Sequence, residues 1–491
     1  MALTVAVVLC LASGFLLVCL SFSRQRPLFS DLLLKVSLSV GFGLGIFSVF
    51  YFLSMLLGMS RLLLVDFAVF ALLVVCILLF RTRGRSFINA TISSLPRHNA
   101  EPAPRSHSLL ATAFVVSLCA AVYTAIIRTL AYPHGDGWDA FSIWNLHARF
   151  LFLGGSHWRD GFSPLIPWSH PDYPLLLPAA IAHFWSFVGH DTPAVPGIIG
   201  LLFTFSTVGL LFSALSILRG RTSAMLGATV LLATPAFIEL GTSQYADVPL
   251  SFFVLATVAL FCLHESRVQE DPSPNSSGLP VLAGLAAGCA AWTKNEGLLF
   301  LCTILLARLL TLIRTGPPSL TTIARRFAPM LVTIVPALLL IAYFKRSIAP
   351  PGDLFSDGTT ALHKLTDPAR YWAIARWYGK SFLRFGHWLV IPGTLLLVAF
   401  YFAAGKTVRK RDLNQADLGL RASILALGLT LAGYFAVYLI TPYDIYWHLR
   451  FSLPRLFLQL WPSTIFVFFL SLVEDKSGAP TCGADAPGRG L

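Results

Sequence analysis

Of the 491 residues, 56% are hydrophobic and only 12% are charged, which excludes a string of soluble domains of about 100–200 residues each. In a soluble protein the net charge of +13 would point to nucleic acid. In a chain this apolar it reads as the Lys and Arg excess of cytoplasmic membrane-protein loops, so no nucleic-acid partner is expected. The eight cysteines form no Cys-X-X-Cys pair and no ligand spacing, and read as small core residues.

Apolar runs long enough to cross a hydrocarbon core of roughly 30 Å recur from end to end. Without strand alternation they predict an all-α polytopic bundle, since only helices or closed barrels satisfy their backbone in lipid. About thirteen spans are expected, at 2–22, 31–57, 61–80, 108–131, 195–218, 222–241, 248–263, 279–293, 297–314, 328–345, 387–404, 422–440 and 456–473. The first is a retained span rather than a signal peptide, because Arg24 and Arg26 follow its apolar stretch instead of preceding it.

Basic residues set the expected orientation. Arg81, Arg83, Arg85, Arg97 and Arg105, then Arg219 and Arg221, then Arg314, Arg325 and Arg326, then Lys406, Arg409, Lys410 and Arg411 all alternate to one side, which the positive-inside rule makes cytoplasmic. The N-terminus is then outside and the C-terminus inside. The segment 265–278 reads as a cytoplasmic loop, and the Gly-, Pro- and Ala-rich tail 474–491 as disordered. The sequons at Asn89 and Asn275 fall on predicted cytoplasmic loops and are discounted. The division expected is 1–107 (three N-terminal helices and a basic loop), 108–473 (a membrane catalytic domain) and the tail. All eleven tryptophans fall on or near the outer face, a one-sided distribution unlike a passive girdle at both boundaries.

Chemistry-bearing residues follow in order on that face. The segment 132–194 opens with Asp136 and Asp139, carboxylates placed to take a proton from a hydroxyl or to hold a metal; capping a turn or a helix is the structural alternative. Its stretch from Pro174 to Val188 reads as a helix along the interface. Asp247 starts a span, where the helix dipole alone would favour a carboxylate. Lys294 and Glu296 share a short turn, where snorkelling or a surface ion pair is the alternative. In the segment 346–386, Arg376, Lys380 and Arg384 would form a basic stripe on a helix, interleaved with Tyr371, Trp372, Trp377 and Tyr378. Such a surface suits a lipid-linked phosphate and a sugar face, or simply anionic headgroups. His448 and Arg450 lie in the last outer segment, 441–455.

Trp138-Asp139-Ala140 resembles the acidic motif that opens the first long outer loop of the GT-C membrane glycosyltransferases, in the branch holding the protein O-mannosyltransferases, the lipid A aminoarabinose transferase and bacterial relatives. In that family the motif is often Asp-Glu and its Asp is the catalytic base; here Ala140 replaces the second acid. His170-Pro-Asp-Tyr173-Pro, Asp247 with its neighbours, Trp292-Thr-Lys294-Asn-Glu296, and Trp447-His448-Leu-Arg450 with Gln459-Leu-Trp461-Pro are similar to later family segments, and the likeness spans about 108–465.

The resemblance implies a glycosyltransferase that moves a sugar from a polyprenyl-phosphate donor, with inversion, onto an acceptor hydroxyl of a glycan, lipid or protein outside the cytoplasm. The style of the loops and the discounted sequons point to a bacterial inner or plasma membrane as the setting. Asp139 would be the base, with Asp136 or Asp247 positioning it or the acceptor. Lys294 and Arg450 would offset charge on the leaving phosphate, with Glu296, His448, Arg376, Lys380, Trp138 and Tyr173 contacting substrate. Asp and His are also types that ligate a divalent cation, but no spacing selects a metal site. A transporter of lipid-linked sugars, with Asp66 as its mid-span charge, and an inactive scaffold are the alternative expectations.

Overall fold

The computed structural model describes residues 2–21, 28–59, 61–82, 105–270, 278–352, 363–388, 408–410 and 418–474. It is a helical bundle: α1 (Ala2–Ser21), α2 (Leu28–Leu56), α3 (Leu62–Thr82), α4 (Arg105–Ala131), α5 (Asn145–Leu153), α6 (Leu176–Val188), α7 (Ala194–Arg219), α8 (Arg221–Leu232), α9 (Pro235–Thr242), α10 (Asp247–Glu270), α11 (Gly278–Thr293), α12 (Asn295–Arg314), α13 (Leu320–Ser347), α14 (Pro368–Arg384), α15 (Leu418–Ile440) and α16 (Ile445–Ser471). Among the described residues, one antiparallel ladder, Val408–Lys410 against Leu472–Glu474, is the exception to an all-helical chain.

Among the described residues, nine helices are long and apolar enough to cross a membrane, or ten if α8 and α9 form one span. The difference from thirteen has physical causes. The run 222–241 breaks by 65° between α8 and α9, because Pro235 starts a new helix and forces the residue before it toward extended backbone. Apolar stretches Leu62–Cys76 and Gly278–Thr293 are shorter than a full span. All but the first two residues of the expected span 387–404, both sequons and nearly all of the tail lie outside the described residues.

The hub of the bundle is α10. Its apolar window is 94% buried, and it packs against α7, α11, α15 and α16. By contrast, α4 buries only 11% of its window and leaves Val115, Val116, Tyr123 and Leu130 exposed, as a lipid-facing helix would. Asp247 is the first residue of the hub helix, so the site sits on one end of the most enclosed element. Helix directions put Arg219 and Arg221, and likewise Arg314 and Arg326, at the opposite end of the bundle.

The stretch read as an interfacial helix, α6, is instead almost wholly buried, packed between α2, α5 and α7. Its His183 Nε2 meets Asp66 at 3.0 Å, and both residues are buried. Asp66 therefore ties α3 to α6. The tryptophans divide: Trp144, Trp185 and Trp292 pack fully inside, whereas Trp138, Trp168, Trp372 and Trp447 are exposed.

Candidate active site

A turn and a loop locked together set the first carboxylate. Gln244 takes the left-handed backbone region at φ 62°, a costly conformation that must be held by its surroundings. Its side chain accepts from Asn145 Nδ2 at 2.8 Å and donates to the carbonyl of Pro133 at 2.9 Å. Gly137, at φ 114°, leaves room for the Tyr245 hydroxyl, which a Cβ there would approach within 2.4 Å. That hydroxyl hydrogen-bonds to the backbone of Asp139, and burial followed by the Asp139 charge pushes it up to about 12, so it stays a neutral phenol. The chain then enters a single π-helical turn, Ala140–Trp144, with Asp139 immediately before it.

Asp139 Oδ2 accepts from Arg455 Nη2 at 2.7 Å. The same guanidinium reaches Asp247 Oδ2 through Nε at 3.1 Å and Nη2 at 2.9 Å. The other oxygen of Asp247 accepts from Lys294 Nζ at 3.2 Å and Gln459 Nε2 at 2.6 Å. Lys294 also meets Glu296 at 2.8 Å. Three carboxylates and two cations thus form one chain of charge, joining a loop to the starts of α10 and α12 and the first half of α16. Burial opposes the charged form of Lys294, but Asp247 and Glu296 outweigh it and raise its pKa above the ordinary lysine value.

Exposure separates the roles. The Asp247 side chain is 0% exposed and that of Lys294 4%, whereas Asp139 is 19% exposed and Arg455 20%. Asp247 and Lys294 are internal anchors; Asp139 lies on the accessible lip with Arg455 beside it. Tyr173 stacks with Trp144 at 5.6 Å and with His170 at 4.8 Å between ring centroids, and Lys294 Nζ is 5.7 Å from the Tyr173 ring centroid. Burial and the neighbouring Glu296, Asp172 and Asp139 carboxylates raise the Tyr173 pKa well above its usual value, so it also remains protonated. Alongside, Asn295 Nδ2 donates to Asp172 Oδ2 at 2.8 Å and Lys345 Nζ to Asn295 Oδ1 at 2.8 Å.

Among the residues expected at the site, Asp139, Asp247, Lys294, Glu296 and Tyr173 come together. Asp136 does not join them; it pairs with Arg128 at the end of α4, and Arg128 also donates to Thr242 at 3.3 Å. Trp138 is exposed against Phe141. Arg376 and Lys380 lie on exposed positions of α14, with Lys380 over the Trp377 ring at 4.4 Å. His448 Nδ1 bonds Thr441 Oγ1 at 2.9 Å. Arg450 is exposed, with its guanidinium 5.6 Å from the Phe451 ring centroid.

Arg455, and not Arg450, bridges the two carboxylates. The reason is the early start of α16, where the Asp444 side chain caps the helix by accepting from the Trp447 amide at 2.8 Å. On a helix of 3.6 residues per turn, Arg455 and Gln459 share a face, and Arg450 points elsewhere. Among the described residues, no group of three or more His, Cys, Asp or Glu is gathered to hold a metal; Arg455 and Lys294 occupy the spaces between the carboxylates.

Residues 180–348, about a third of the chain, match the family model described as dolichyl-phosphate-mannose-protein mannosyltransferase. The match supports reading the chain as a membrane glycosyltransferase. The matched stretch runs from within α6 to the end of α13, so it holds Asp247, Lys294, Glu296 and Lys345. Asp139 and Arg455 lie on either side of it and reach it through the ion pairs above. No curated protein and no solved structure matches the chain.

Proposed function

We propose that this glycosyltransferase takes a sugar from a polyprenyl-phosphate donor and transfers it, with inversion, to an acceptor hydroxyl on the non-cytoplasmic side of the membrane. The observation that carries the reading is the chain of charge from Asp139 through Arg455 to Asp247 and Lys294, set at one end of the bundle with its basic-rich helix ends at the other. A donor anchored by a lipid tail keeps its phosphate at such a boundary.

In this reading Asp139 is the base. The acceptor oxygen attacks the anomeric carbon, its proton passes to the Asp139 carboxylate, and the bond from that carbon to the phosphate oxygen breaks as polyprenyl phosphate departs. Arg455 orients Asp139 and offsets charge at the lip, an arrangement that works best where water is excluded. Asp247 and Gln459 hold Arg455 in turn. The exposed cations Arg450, Arg376 and Lys380 are on hand at the headgroup level for the donor phosphate. The acceptor is a glycan, lipid or protein bearing a free hydroxyl, and residues 108–473 form the catalytic membrane unit. Support for the donor class comes from the name of the matched family.

The test is transfer from a polyprenyl-phosphate sugar in membranes carrying Asp139→Asn. The variant should insert at the wild-type level and lose transfer by about 10²-fold or more. Wild-type turnover in that variant would remove Asp139 from the chemistry.

A further inference from the structure

We infer a second anion site, for a phosphate-bearing headgroup, at the end of the bundle opposite Asp139. Glu265, Arg308, Thr311, Arg326, Phe327 and Ala422 line a hollow among α10, α12, α13 and α15. Along α10, Glu265 lies roughly 27 Å from Asp247 at the helical rise per residue. That is close to the hydrocarbon thickness of about 30 Å, so this hollow sits at the other boundary of the membrane.

The side chains there are charged but poorly satisfied. Arg308 Nη2 is 3.7 Å from Glu265 Oε1 and Arg326 Nη1 is 3.6 Å from Glu265 Oε2, beyond hydrogen-bond reach for either guanidinium. The Arg308 side chain is only 7% exposed. Its other neighbours are the rings of Phe261 at 4.0 Å and Phe327 at 5.9 Å, which attract the cation but accept none of its N–H groups in the plane. Among the described residues no acceptor lies within hydrogen-bond reach of the Arg308 guanidinium, which leaves its donors open to a bound anion. Among the described residues lining the hollow, two cations face one carboxylate and one positive charge is left over, which a monoanion would complete.

A phosphodiester suits the donor chemistry, because two guanidiniums can each present paired N–H groups to its oxygens. Arg326, at 35% side-chain exposure, forms the open side through which a headgroup would reach the hollow. Exposed Leu310, Ile313, Leu320 and Ile424 lie nearby on α12, α13 and α15, where acyl chains would run. Basic pockets between membrane helices take anionic lipid headgroups in this way. The site is separate from the catalytic lip, so its fate and that of the transferase reading are distinguishable.

The experiment follows thermal unfolding of the purified full chain in detergent while titrating phosphatidylglycerol, zwitterionic phosphatidylcholine or inorganic phosphate. Phosphatidylglycerol is expected to raise the midpoint in a saturable way. Arg326→Gln should weaken that half-saturation about tenfold, equivalent to about 1.4 kcal/mol, and exposed Arg314→Gln should leave it unchanged. Stabilisation by inorganic phosphate alone, lost in Arg326→Gln, would keep the phosphate site and assign it to a soluble anion. No stabilisation by either, equal effects of the two phospholipids, or equal losses in Arg326→Gln and Arg314→Gln would overturn the proposal. Arg308→Gln provides a second probe if it folds; Arg326→Gln, being part exposed, keeps the test open if it does not.

Discussion

Asp139 and Asp247 meet through a single nitrogen atom, Nη2 of Arg455, which is 2.7 Å from the first carboxylate and 2.9 Å from the second. A planar guanidinium holds two acceptors at fixed angles, which a single ammonium on a flexible stem does not. Arg455→Lys is therefore expected to keep one contact and lose the other. Transfer should fall by about 10²–10³-fold, the loss typical for a preorganised charge in a closed site. Arg450→Ala should change turnover far less. Steady-state rates with a lipid-phosphate sugar check this, and equal losses in the two variants would remove the bridging role of Arg455.

Asp247→Asn tests whether the buried carboxylate is an anchor. It lies at 0% side-chain exposure between Lys294 and Arg455, and removing its charge leaves two enclosed cations short of a partner. Breaking a buried pair in this way costs about 3–5 kcal/mol. Asp139→Asn, on the lip, should cost much less stability while still abolishing transfer. Thermal unfolding of the two variants decides it: an Asp247→Asn protein as stable as wild type contradicts the anchor role.

Much of this arrangement is legible in the sequence because its ingredients sit at helix boundaries. Asp247, Lys294 and Glu296 each fall where an apolar run stops or starts, and the structure puts Lys294 in contact with both carboxylates. Asp139 is marked by its position after a span and by its glycine-rich approach. The less legible part lies inside apolar runs. Arg455 and Gln459 belong to the continuous helix Ile445–Ser471, although the apolar run itself suggests a span starting at 456. Asp444 was the available signal, since an Asp before an aromatic-rich run is a helix N-cap. Pairing was hidden too: Asp136 and Asp139 look alike in sequence, and only the Arg128 contact separates their roles. The break at Pro235 could be anticipated from the proline, yet its 65° bend depends on what α8 and α9 pack against.

Acid should loosen the segment that carries Asp139. His147 is fully buried, near Ser169 at 3.4 Å, and burial, with a smaller effect of His170, lowers its pKa from 6.5 to about 3. The unfolded chain then binds a proton that the folded chain refuses between those two values. Stability is accordingly retained above about pH 6.5 and falls as pH drops toward 3, by up to about 1.4 kcal/mol per pH unit from this one group. His147→Asn should flatten that part of the profile. Thermal midpoints of both proteins between pH 7.5 and 5 measure it; parallel slopes would show that His147 contributes nothing to the acid response.

The orientation of the Gln459 amide is fixed from both sides. Its oxygen accepts the Tyr434 hydroxyl at 2.9 Å, and its nitrogen donates to Asp247 at 2.6 Å. Only a side chain with both a donor and an acceptor serves both neighbours. Gln459→Glu would set a second carboxylate against Asp247, and the pair could persist only by holding a proton between them. Turnover of Gln459→Glu is therefore expected to be poor at neutral pH and to recover in part as the pH is lowered. Tyr434→Phe leaves the Asp247 contact in place and removes one neutral hydrogen bond, costing about 1 kcal/mol of stability with little effect on turnover. A pH–rate profile for Gln459→Glu that falls in parallel with wild type would mean that the amide nitrogen does not position Asp247.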